Sequence, residues 1–238
     1  MDLGYFEISL DVKDIGRSQA FYESLGFELI DGAAEIRTVT LQKGDCRLGL
    51  YQGHLDPART QLIFWQGDVA AITREVEAAG IGFFREPRSD EGGTAFMLLD
   101  PDGHPVFVIC MRINFYNQPG YERPFEATPR TATGTGPAFG PCELSLAVAD
   151  LAPSLAFYRK LGFEAAGEIG RSNAVLRNRD CTIGLYRDQP EPARLTFRHG
   201  DTQAIAGHLS AKGLDFETVG AVQLTLTDPD GHPIRFLG

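Results

Sequence analysis

The sequence has no apolar run approaching the roughly twenty residues that a membrane-spanning helix needs. Its first residues, MDLGYFEISL, lack a basic stretch followed by an apolar one, so no secretory leader is expected. Positive charge is in short supply. The 22 Lys and Arg stand against 32 Asp and Glu, a net charge of −10, which disfavours nucleic acid and anionic membrane surfaces as partners. The four cysteines, Cys46, Cys110, Cys142 and Cys181, form no CxxC pair. Free thiols in a cytoplasmic protein are therefore expected, in place of a disulfide or zinc framework. There is no Ser-His-Asp order, phosphate loop or dinucleotide fingerprint, and the Thr-Gly-Thr-Gly run at 133–136 follows no strand pattern. The spacing of His54, His199 and His208 is not that of a metal-ligand set. Tryptophan occurs once, at Trp65.

What is present is a chain of 238 residues, 43% hydrophobic and 23% charged, with core material for one large domain or two of ordinary size. A repeat decides for two. FEISLDVKDIGRSQAFYESLGFE, from Phe6 to Glu28, returns as CELSLAVADLAPSLAFYRKLGFE, from Cys142 to Glu164. CRLGLY at Cys46 returns as CTIGLY at Cys181, and DPDGHP at Asp100 returns at Asp228. The boundaries follow as 1–113 for the first domain, 114–138 for a Gly-, Pro- and Thr-rich linker, and 139–238 for the second domain. The linker's scattered aromatics suggest that part of it lies against a domain surface.

Each copy is itself doubled. EISLDV alternates, with Ile8, Leu10 and Val12 on one face and Glu7, Ser9 and Asp11 on the other, the pattern of a half-buried strand. Asp14 then caps a helix that turns Phe21, Tyr22 and Leu25 inward and stops at Gly26. Strands are expected near 27–30, 35–42 and 46–52. The scheme restarts at QLIFWQ, with Asp68 as cap and a stripe of Val69, Ile72, Val76 and Ala79 ending at Gly80. Strands near 81–85, 94–99 and 104–110 complete it. In the second copy Asp150 and Asp201 are the caps, and Gly162 and Gly213 the stops. The chain thus reads as an α+β fold of four βαβββ modules, two per domain, with one sheet face left without helices.

The Asp-capped helix ending FYxxLGF, followed by DPDGH and written twice in order, resembles the vicinal oxygen chelate superfamily. That superfamily includes glyoxalase I, extradiol dioxygenases and bleomycin-resistance proteins. The resemblance covers nearly the whole chain outside the linker. It implies tandem domains in which paired βαβββ modules curl into an open, barrel-like cleft, often around a divalent metal. Chemistry must still be argued from the site.

In metal-binding relatives the ligands come from the opening and closing strands, commonly as His, Gln and Glu. The matching opening positions here are Glu7 and Gln61, each seven residues before its capping Asp, and the closing position is Phe107, seven after Asp100. In the second copy the same positions hold Glu143, Arg194 and Arg235. A divalent ion needs about three protein donors. Phe107 offers none, and two guanidiniums repel a cation. The expectation is that neither cleft takes a metal and that no cofactor is bound, with one divalent metal in the first cleft as the alternative. His104 and His232 read as turn residues with hydrogen-bonded rings, and Cys46 and Cys181 as core sulfur.

The cleft faces supply the remaining candidates. In the first, Glu7, Tyr51, Gln61, Trp65 and Phe107 make an aromatic pocket with polar groups at one side, the usual composition of a small-molecule site. Trp65 could alternatively be domain–domain core. In the second, Glu143, Arg194, Arg198 and Arg235 have two readings: Glu143 neutralises Arg194 or Arg235 and closes the cleft, or the arginines form an anion pocket. Three function classes follow. The leading one is a metal-independent protein, similar in logic to bleomycin-resistance proteins, that binds a small aromatic or amphipathic molecule. The second is a metal-dependent lyase, isomerase or dioxygenase of the glyoxalase type. The third is a metal-free enzyme using Glu7 or Glu143 as general base. A small-molecule ligand is the expected partner in all three.

Overall fold

The computed structural model describes residues 1–56, 60–111 and 131–238. The first half runs β1 (Gly4–Asp11), α1 (Ile15–Ser24), β2 (Glu28–Ala33), β3 (Thr38–Lys43), β4 (Cys46–Tyr51), β5 (Gln61–Gln66), α2 (Val69–Ala78), β6 (Arg85–Ser89), β7 (Gly93–Leu99) and β8 (Pro105–Met111). The second half repeats it as β9 (Cys142–Ala147), α3 (Leu151–Lys160), β10 (Glu164–Ala165), β11 (Asn173–Asn178), β12 (Cys181–Tyr186), β13 (Ala193–Arg198), α4 (Thr202–Ala211), β14 (Glu217–Val219), β15 (Gln223–Thr227) and β16 (Pro233–Leu237).

The capping aspartates do what their positions predict. Asp14 accepts from the Arg17 N–H at 3.0 Å, Asp68 from Ala71 at 2.9 Å, Asp150 from Ala152 at 3.1 Å, and Asp201 from Gln203 and Ala204 at 3.0 Å each. Gly26 leaves α1 with a left-handed φ of 93°, and a Cβ there would lie 2.1 Å from the Thr135 carbonyl oxygen. One expected strand is displaced. Residues 81–84 are not strand, and β6 begins at Arg85. The apolar letters that suggested a strand, Ile81 and Phe83, pack on the core from irregular backbone. Likewise the stretch expected as strand from 35 opens with a short 3-10 turn, Ala34–Ile36, before β3.

Two open eight-stranded sheets result, ordered β2-β3-β4-β1-β5-β8-β7-β6 and β10-β11-β12-β9-β13-β16-β15-β14. Within each module the first and last strands pair in parallel, as β1 with β4 and β5 with β8, while β1 and β5 join the modules antiparallel. The alternation in β1 sends Phe6, Ile8 and Leu10 into the same core as Ile15 and Tyr22 of α1. That core is continuous between the halves: Phe64 meets Phe163 edge-on at 6.4 Å, and Phe27 meets Phe197 at 6.4 Å.

Each DPDGHP phrase docks on the other half. Asp230 accepts from the Lys13 N–H at 3.0 Å and from Ser18 Oγ at 2.7 Å, while Asp102 accepts from the Ala149 N–H at 2.7 Å and from Ser154 Oγ at 2.8 Å. The β3–β4 and β11–β12 turns reciprocate too, with Asp180 accepting from the Phe6 N–H and Asp45 from the Cys142 N–H, both at 3.0 Å. The histidines are turn-bound: His104 Nδ1 sits 2.8 Å from Asp100 Oδ2 and His232 Nδ1 sits 2.8 Å from Asp228 Oδ2, and His104 Nε2 lies 3.1 Å from the Pro192 carbonyl. Of the expected linker, residues 114–130 lie outside the described residues. Its end packs on the first half through backbone: Thr135 N–H donates to the Gly26 carbonyl at 2.8 Å, and the Lys43 ammonium donates to the Thr135 carbonyl. All four cysteines are free. No helix among the described residues is long and apolar enough to cross a membrane.

Candidate functional site

The face of the first sheet opposite the helices forms a cleft of about 460 Å³, walled by Ile63, Trp65, Met97, Phe107 and Ile109, with Gln61, His54 and Tyr51 on its margin. Trp65 clusters there with Tyr51, Ile63 and Ile109, apart from the core shared by the two halves, so it is cleft wall and not inter-domain packing. Phe84 and Leu55 also line this cleft. Strand parity alone does not reveal them, because both lie outside strands.

Glu7 is buried behind this wall, 3% exposed. Its Oε1 accepts from Tyr51 Oη at 2.7 Å and Ser9 Oγ at 3.0 Å, and its Oε2 accepts from Thr40 Oγ1 at 3.2 Å. Burial pushes its pKa above the usual carboxylate value. The hydroxyl bonds and the nearby Arg47 charge oppose that rise without cancelling it. The bend of the side chain is permitted by Gly49, where a Cβ would stand 2.3 Å from Glu7 Oε1 and 2.6 Å from the Tyr51 ring. Gly49 has a further meaning. It faces Ser9 across the β1–β4 ladder as Phe107 faces Ile63 across the β5–β8 ladder. The closing-strand position of the first module is thus a glycine, which no donor-bearing side chain marks. Its signal was in the sequence, as the Gly common to CRLGLY and CTIGLY.

Four equivalent positions therefore face the first cleft: Glu7, Gly49, Gln61 and Phe107. Two carry no donor, and both Glu7 oxygens already accept hydrogen bonds. Among the described residues, no group of three His, Cys, Asp or Glu could hold an ion. This donor set does not fit a divalent cation held by three protein ligands.

In the second half the corresponding four are Glu143, Gly184, Arg194 and Arg235. Glu143, 1% exposed, accepts from Ser145 Oγ at 2.6 Å, Tyr186 Oη at 2.9 Å and Arg198 Nε at 2.7 Å. Gly184 again makes the room, a Cβ there falling 2.2 Å from Glu143 Oε1. Glu143 thus pairs with Arg198, and not with Arg194 or Arg235 as the sequence suggested. The reason is local: Thr40, the third donor to Glu7, is matched by Val175, which faces Gly184 as Thr40 faces Gly49, and the Arg198 guanidinium takes over that role. Burial works against the Arg198 cation, but the bond and charge of Glu143 outweigh it and raise its pKa. Burial and the Glu143 charge push the Tyr186 hydroxyl up to about 12. Arg194 is held by the Glu191 carboxylate. This cleft is not closed, and a volume of about 570 Å³ remains beside Tyr186, Arg194, Arg198, Gln223 and Arg235.

Two sheets of paired βαβββ modules, each with a cleft face whose opening and closing strands present the variable side chains, define a glyoxalase-like class of protein. Residues 4–108 match the family model of the Glyoxalase/Bleomycin resistance protein/Dioxygenase superfamily. The first half of the chain belongs to that superfamily, and the second half repeats its fold. No curated protein matches the chain in sequence. Similar solved structures include an Mn(II)-bound glyoxalase from Novosphingobium aromaticivorans, 19% identical with a TM-score of 0.61, covering 96% of this chain and 79% of that one. An extradiol ring-cleaving dioxygenase from B. fuscum is 16% identical with a TM-score of 0.65, covering 98% and 70%. The 2,2',3-trihydroxybiphenyl 1,2-dioxygenase from Sphingomonas wittichii is 16% identical with a TM-score of 0.62, covering 98% and 88%. At these identities the likeness is one of fold.

Proposed function

We propose that this chain binds a small aromatic or amphipathic molecule in its first cleft without a metal ion. The observation that carries the reading is the side-chain composition of that cleft: Trp65, Phe107, Ile63 and Met97 surround about 460 Å³, with Gln61 as a polar group at one end. Phe107 stands where a metal enzyme of this fold would carry a carboxylate, so the wall that would hold an ion instead offers a ring for stacking. Free thiols support a cytoplasmic setting. The test is titration of the full chain with a neutral aromatic such as 1-naphthol, read by emission of Trp65. Saturable quenching that Phe107→Ala weakens supports the reading, and a flat titration overturns it.

A second reading, Glu7 as general base in a metal-free enzyme, is favoured by the upward shift of its pKa through burial. It requires that Glu7 be reached past Tyr51, whose hydroxyl is its shortest hydrogen bond. An activity abolished by Glu7→Gln with aromatic binding intact would select this reading.

A further inference from the structure

The second cleft has been recharged relative to the first. Gln61, Trp65 and Phe107 line the first cleft, and their counterparts in the repeat are Arg194, Arg198 and Arg235. On β13, Arg194 and Arg198 point to the same face on either side of Thr196, and Arg235 lies opposite Thr196 across the parallel β13–β16 ladder. Arg235 therefore sits between the other two.

The flanking arginines have carboxylates of their own, Glu191 for Arg194 and Glu143 for Arg198. Arg235 has none. Its polar contact is a long one, Nη2 to Thr196 Oγ1 at 3.4 Å, and that hydroxyl is already engaged with Ser145 Oγ at 2.7 Å. The Tyr186 ring centre lies 5.8 Å from its Cζ. The Nε atoms of both Arg235 and Arg194 are buried without a hydrogen-bond partner. A buried guanidinium donor without an acceptor is costly and rare in folded proteins. Burial and the Arg194 charge lower the Arg235 pKa, the direction given by an uncompensated cation. The other acid beside the cleft, Asp188, is exposed at its rim.

We propose that the second cleft is a binding site for a small oxyanion ligand, a carboxylate or phosphoryl group received by Arg235 and the free edge of Arg194. The flat, forked guanidinium suits both groups, because each offers two oxygens to parallel N–H donors. Glu143 acts here as an anchor that holds Arg198 and Tyr186 in place and leaves the central charge open. The site does not depend on ligand binding in the first cleft.

The test uses the full chain and two probes, benzoate and inorganic phosphate, each compared with chloride at equal ionic strength. Thermal unfolding should shift upward with at least one probe beyond the chloride control. A benzoate response alone assigns a planar carboxylate, a phosphate response alone assigns a phosphoryl group, and both together assign a general oxyanion site. Arg235→Gln should weaken the responding probe by at least about tenfold. Glu191→Gln, which releases Arg194, should tighten it. Quenching of Trp65 by 1-naphthol should be the same in both variants, which separates this site from the first cleft. The proposal is overturned if neither probe exceeds chloride, or if Arg235→Gln responds as the unaltered protein does.

Discussion

The Tyr22 hydroxyl donates to Asp228 Oδ2 at 3.0 Å across 206 positions of sequence, and Tyr158 donates to Asp100 Oδ2 at 2.9 Å in the mirrored arrangement. Both tyrosines are fully buried. Each aspartate also binds the histidine of its own turn, so one carboxylate ties a turn to the helix of the other half. Tyr22→Phe should lower unfolding free energy by about 1–2 kcal/mol, and Tyr158→Phe by a similar amount, measured by urea denaturation. A negligible loss in both variants would show that these bonds do not hold the halves together.

Gly49 offers a test of how Glu7 is seated. Gly49→Ala places a methyl group against Glu7 Oε1 and the Tyr51 ring, and the expected destabilisation is about 1–3 kcal/mol. Combining it with Glu7→Ala should cost less than the sum of the single changes, since the clash then has one fewer partner. Additive losses would argue against this packing.

The raised pKa of Glu7 sets the sign of a pH effect. A carboxyl group whose folded pKa exceeds its unfolded value stabilises the fold fully below the unfolded value, ordinarily 4.5. That contribution is lost as pH rises through the folded pKa. Glu7→Gln cannot ionise, so its stability relative to the unaltered protein should improve as pH rises above the unfolded value of 4.5. Chemical denaturation at several pH values measures this, and a constant difference would contradict it.

Phe107 is the hinge between the metal-free and metal-bound readings. Protein purified without chelator should carry far less than one divalent ion per chain by elemental analysis. Phe107→Ala should weaken binding of an aromatic ligand by about 1–3 kcal/mol. Phe107→Glu should raise affinity for a divalent ion in calorimetry, because it adds a carboxylate beside Gln61 and Glu7. A stoichiometric metal in the unaltered protein, lost on Glu7→Ala, would replace the proposed function with a metal-dependent one.

Periodicity and capping made much of this architecture legible from sequence. Asp14 and Asp68 mark helix starts by chemistry that acts within a few residues, and the alternation of β1 separates Phe6, Ile8 and Leu10 from Glu7 and Ser9 without reference to distant parts. The failures have a common origin in long-range partners. Ile81 and Phe83 are apolar because they cover a helix-side core, and no local signal distinguishes that from a strand. The choice of Arg198 over Arg194 and Arg235 as the mate of Glu143 depends on which side chain supplies the donor that Val175 lacks. Gly49 and Gly184 matter through an absent side chain, and a search for ligand-type residues passes over them.

The reciprocal clasp formed by Asp102 and Asp230 bears on how the two clefts came to differ. In an assembly of two identical chains every substitution enters both pockets at once, so a ring at one site is a ring at the other. Two copies within one chain are free of that obligation, while the clasp, matched bond for bond, aligns them in the same way. Natural selection could then alter Arg235 without touching Phe107. The clasp is thus symmetric where the clefts are not, and one frame holds two differently lined pockets.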